Sequence, residues 1–190
     1  MRQVSLLLAA VLLPAAAGPL PGSAQSLTQD GALSLAFPAV DSLARRTAYL
    51  EKDQMDRIAS ATGPNAEPPS GIATFYLAYR GGEPLGVAYF DAHRVRTLDQ
   101  VLMIVVGREG RVQRVETVRF REPPEYRAPE GWLGLFQEGE LGPELSLKGE
   151  IPNITGATLT AGAVTRAVRR TLALHREIAP FQAAGGGNAP

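Results

Sequence analysis

The chain has 190 residues, 45% hydrophobic and 20% charged, which suits one globular domain behind a removable leader. Lys and Arg number 19 and Asp and Glu number 19, so no net positive charge marks a nucleic-acid-binding surface. Cysteine is absent and only His93 and His175 supply imidazole; disulfides, thiolate catalysis, iron–sulfur clusters, Cys-ligated zinc and a lipid anchor on an N-terminal Cys are therefore excluded.

Residues 1–24 read as an export signal. Arg2 supplies a positive start, and the mostly apolar run from Val4 to Leu13 is too short to span a bilayer. Pro14 and Pro19 interrupt any helix, and Gly22-Ser23-Ala24 offers small residues for cleavage before Gln25. The mature protein is expected outside the cytoplasm, in a periplasm. The alternative is a membrane tether formed by the uncleaved segment.

Residues 25–70 read as an irregular lead-in to Ala36 and then a helix from about Val40 to Ala61. Asp41 or Ser42 caps its start, and Leu43, Ala44, Leu50, Met55, Ile58 and Ala59 form a broken apolar face. Gly63-Pro64-Asn65 ends it, and Pro68-Pro69-Ser70-Gly71 is loop.

The main domain is expected over 71–178. Ile72 to Tyr79 and Leu85 to Phe90 read as one hairpin across Arg80-Gly81-Gly82-Glu83-Pro84. Val101 to Val106 and Val112 to Phe120 form a second, joined by Gly107-Arg108-Glu109-Gly110. The run Val101 to Val106 is apolar throughout, which predicts a strand buried on both faces or lying in the sheet centre. Residues 121–150, with four prolines and several glycines, predict a long surface segment holding one short helix around Gly131 to Gln137.

A last helix is predicted from about Thr160 to Ile178, with Val164, Val168 and Leu172 repeating on its apolar face. Arg166, Arg169 and Arg170 read as its solvated side. Pro180 stops it, and residues 179–190 read as a disordered tail. The fold class expected is α+β: an antiparallel sheet built from two hairpins, packed by an N-terminal and a C-terminal helix.

The chemistry concentrates in Thr155-Gly156-Ala157-Thr158-Leu159-Thr160, directly ahead of the last helix. A helix N-terminus presents unpaired amides and a partial positive charge, so it favours a phosphate. Gly156 and Ala157 let the backbone approach a ligand, three hydroxyls cluster there, and Arg166 adds positive field from further along. The same residues equally suit an ordinary N-cap and tight turn.

The hexapeptide resembles the Ser/Thr-Gly-Ala-Thr-x-Thr motif of the FMN-binding domain family, which includes the C subunit of sodium-pumping NADH:quinone reductase and the G subunit of the related ferredoxin-dependent complex. The likeness runs over roughly residues 70–175. It includes the paired strands from Val101 to Phe120, Glu122-Pro123-Pro124-Glu125-Tyr126, and Trp132-Leu133. The resemblance implies FMN as cofactor, attached through its phosphate to Thr158 by a flavin transferase that uses FAD and magnesium. In the family an Asp usually stands three residues before the Ser/Thr, where this chain has Pro152.

The flavin ring would need an aromatic or aliphatic wall with a few polar contacts, for which Trp132, Leu133, Tyr126 and Glu122 are candidates beside ordinary packing roles. His93 reads as finishing a strand, with an approach to the ring as its alternative. The function implied is electron relay between redox partner proteins, with a membrane complex among the candidate partners. The alternatives are a module that binds FMN or a phospholigand reversibly, and a flavin-free accessory domain.

Overall fold

The computed structural model describes residues 27–64, 66 and 68–185. The signal reading at 1–24 and the last part of the tail, 186–190, lie outside these residues.

Five strands form one antiparallel meander in the order β1-β2-β3-β4-β5. They are β1 (Ser42–Tyr49), β2 (Ile72–Arg80), β3 (Glu83–Arg94), β4 (Asp99–Gly107) and β5 (Val112–Phe120). Glycines at positive φ make the two tight turns, Gly81 and Gly82 between β2 and β3 and Gly110 between β4 and β5. Both predicted hairpins are present, and the class is α+β.

Strand β4 sits in the interior as its continuous apolar run predicts. Leu102, Ile104 and Val106 enter a core on one face of the sheet, and Met103 and Val105 enter a second core on the other. The first core is closed by α4 (Thr158–Ile178) through Ala161, Val164, Ala167, Val168 and Leu172, and by Trp132, Leu133 and Phe136 from the segment after β5. The second is closed by α1 (Gln29–Ala36) through Ala32 and Leu33, joined by Phe37.

The N-terminal region departs from the sequence reading. Residues 42–49 are strand, not helix. β1 pairs with β2 along its whole length, from Ser42 opposite Tyr79 to Tyr49 opposite Ile72. Ala44 and Ala48 pack on the first core, a spacing that fits one helix face and one strand face alike. Most of β1 is exposed, so backbone pairing rather than burial decides its conformation. The sheet therefore has five strands, one more than two hairpins supply.

Only the second half of the predicted N-terminal helix is helical, and a further helix lies before it. α1 replaces the irregular lead-in and is capped by the hydroxyl of Thr28, which accepts the Gly31 amide at 3.1 Å. α2 (Lys52–Thr62) begins at a reciprocal cap between Glu51 and Gln54 and rests on α4, with Ile58 and Leu50 meeting Ala173. The tail is also shorter than expected: Ala179 ends α4 in the left-handed conformation, and α5 (Pro180–Gly185) follows at once.

Two arginines read as solvated are built into the structure. Arg169 donates to the carbonyls of Thr62 at 2.8 Å and Ala61 at 2.9 Å, satisfying the end of α2, and to Leu145 at 3.2 Å. Arg170 holds Asp91 of β3. Of the three, Arg166 alone is exposed as expected.

Candidate functional site

The site begins where the chain leaves the 121–151 segment and enters α4. Asn153 accepts the Ile154 amide on its own Oδ1 at 2.9 Å, and the Ala157 amide donates to the Ile154 carbonyl at 3.0 Å. That closes a four-residue turn whose third residue, Gly156, has φ +81°. A side chain there would meet nothing within 4 Å, so the glycine is required by backbone conformation and not by crowding.

α4 then starts at Thr158 with Ala157 as its N-cap. Ala157 has no side chain able to cap, and neither a side-chain cap nor an acidic residue is present in the first turn. The ordinary capping role is thus not what the threonines perform. The first amides of a 21-residue helix, with their partial positive charge, are left for an anion.

The three hydroxyls separate. Thr155 and Thr158 are exposed, as is Leu159 beside them, while Thr160 is buried and donates to the Tyr126 carbonyl at 2.7 Å. Thr158 therefore combines an accessible hydroxyl with a position on the first residue of the helix. This arrangement fits a phosphate carried by that side chain or held beside it.

Two of the predicted wall residues are joined to this turn. The indole N–H of Trp132, in the short helix α3 (Glu130–Leu133), donates to the Pro152 carbonyl at 2.8 Å. Its ring meets Phe136 edge to face, with centroids 5.2 Å apart. Tyr126 is half-buried and linked through its carbonyl to Thr160. Leu133, 3% exposed, lies within the main core.

Glu122 is placed differently. Its carboxylate accepts the backbone amides of Thr97 at 2.6 Å, Leu98 at 2.7 Å and Arg96 at 3.2 Å, closing the turn between β3 and β4. The amides of Leu98 and Thr97 hold its pKa below the usual carboxylate range. Its hydrogen bonds thus go to that turn and not to the segment around Thr158.

Sequence reasoning missed the polar row between β3 and α4. Tyr89 lies 2.8 Å from His175 Nδ1, and Asp91 sits between His93 and Arg170. Burial pushes the Tyr89 hydroxyl well above its ordinary pKa and lowers His175 to about 4, so the bond joins a neutral phenol to a neutral imidazole. The period-two spacing of Tyr89, Asp91 and His93 on one strand was the available signal.

Among the described residues, no helix is long and apolar enough to cross a membrane. No curated protein matches the chain significantly. Residues 99–173, from β4 through most of α4, match the family described as the FMN-binding domain. That span contains the buried strand β4, the Trp132 segment and the uncapped turn at Thr158. Residues 99–173 of this chain are thus similar to an FMN-binding domain, and FMN is the cofactor that this family indicates.

Proposed function

We propose that the protein is an exported electron carrier whose FMN is joined by its phosphate to Thr158. The observation that carries this reading is the exposed Thr158 hydroxyl on the first residue of α4, where no side chain among the described residues caps the helix. Attachment would form one phosphoester bond at Thr158 Oγ1. With FAD as donor, its diphosphate linkage breaks, AMP leaves and the hydroxyl loses its proton, so no oxidant is required.

Bound there, FMN supplies the redox chemistry by accepting and passing electrons. The chain's own residues provide attachment and position. The α4 amides offset phosphate charge, Gly156 shapes the turn, and Trp132 fixes the Pro152 segment that leads into it. No general acid or base is needed for relay. A flavin transferase and separate redox partners complete the proposed system.

Denaturing gel fluorescence of protein co-expressed with a flavin transferase tests the linkage. A fluorescent band that survives denaturation supports it. Flavin that is released from the band favours reversible binding, and a sample that never acquires flavin favours an accessory role.

A further inference from the structure

The face of β3 that meets α4 carries Tyr89, Asp91 and His93 at alternate positions. Arg170 grips Asp91 through Nε at 2.9 Å and Nη2 at 2.7 Å, and His93 Nδ1 lies 2.7 Å from the same carboxylate. The Asp91 and His93 side chains are only 11% and 10% exposed. Burial works to raise the Asp91 pKa, but the bonds from His93 and Arg170 outweigh it and keep the group ionised. Nδ1 of His93 therefore donates to Asp91.

The other ring nitrogen is left over. His93 Nε2 is buried and has no hydrogen-bond partner among the described residues. A buried polar atom in that state is destabilising unless something outside the chain meets it.

His93, Asp91 and Arg170 line a cleft of about 750 Å³ between β3 and α4. That volume suits a small organic ligand. Ala163, Leu174 and Ile72 supply apolar wall. Arg94 and Arg166 also line it, both exposed, and neither has an ion-pair partner among the described residues. Among the described residues, Asp91 is the acid that lines the cleft, and it is already committed to Arg170 and His93.

We propose that this cleft is a second binding site, distinct from the phosphate site at Thr158, for a small organic anion that also carries a hydroxyl or N–H donor. Arg94 and Arg166 draw the anionic group, His93 Nε2 accepts from the donor, and Ala163 and Leu174 cover the body of the ligand. Nothing in this assignment depends on flavin attachment.

The test is calorimetric titration of the full mature protein with 4-hydroxybenzoate, a probe that combines a ring, an anionic group and a hydroxyl. Saturable one-to-one binding is expected, weakened about tenfold for benzoate, which lacks the donor. His93→Ala and Arg94→Ala should each weaken the hydroxylated probe by about tenfold. Arg94 is exposed at the end of β3, so its variant decides the matter if His93→Ala disturbs Asp91. Absence of saturable binding, equal affinity for benzoate, or unchanged affinity in Arg94→Ala overturns the assignment. Flavin content measured on the same samples reports on Thr158 separately, so either site can fail without the other.

Discussion

The indole N–H of Trp132 reaches the carbonyl of Pro152 at 2.8 Å, linking the irregular segment after β5 to the stretch that enters α4. The bond crosses 20 residues of sequence and satisfies a buried donor. It gives the Pro/Gly-rich segment a structural purpose: one end of the turn before α4 is pinned by Trp132 and the other by Thr160 on Tyr126.

Trp132→Phe should keep most of the ring packing and lose that bond. The expected cost is about 1 kcal/mol of stability, read as a lower urea midpoint at unchanged slope. Flavin attachment should slow because the segment before Gly156 is held less firmly. Attachment at the wild-type rate would show that Trp132 serves packing alone.

Gly156→Ala should be tolerated for space and penalised for backbone. With φ at +81° and nothing within 4 Å of the added methyl, the cost is conformational, about 1 kcal/mol. Thermal melting measures it, and a larger loss would mean that the turn cannot relax. The flavin-loaded fraction should fall with it.

Glu122→Gln separates the turn between β3 and β4 from the flavin site. The carboxylate accepts three backbone amides, so the neutral side chain should lower the melting temperature while leaving flavin occupancy unchanged. The depressed pKa gives the sign of its pH effect. This contribution is present above the carboxyl's unfolded-state pKa and disappears as pH falls through the lower folded value. Loss of flavin in a stably folded variant would return Glu122 to the cofactor site.

His175 contributes in the same direction at higher pH. Its folded pKa of about 4 lies below the ordinary 6.5, so between those values the unfolded chain binds the extra proton. Stability from this group is present above pH 6.5 and is lost as pH falls towards 4. By pH 5 the loss should be about 2 kcal/mol at most. Urea melts at pH 7 and pH 5 measure it, and His175→Gln should remove that part of the difference. An identical difference in the variant would assign it to other groups.

Legibility in the sequence followed the strength of the local pattern. The run from Val101 to Val106 has no polar interruption and is followed by a glycine turn, so the buried β4 and its hairpin could be read directly. The stretch around Ala44 and Ala48 could not, because a four-residue spacing satisfies both periods and the pairing partner that decides between them lies more than twenty residues away. α1 escaped notice because eight residues containing Gly31 carry little periodic signal, although Thr28 is an ordinary cap. The stretch from Thr155 to Thr160 stood out as a motif. What each threonine does was not, since one turn of helix exposes Thr158 and buries Thr160. Arg169 and Arg170 looked solvated because their partners, two backbone carbonyls of α2 and a carboxylate on β3, come from distant parts of the chain.

Intact-mass measurement of wild-type and Thr158→Ala protein, each co-expressed with a flavin transferase, tests the central claim most directly. The account predicts that wild type gains the mass of one FMN less water and that the variant, folded to the same melting temperature, gains none. An equal adduct on Thr158→Ala, or none on wild type, would contradict it.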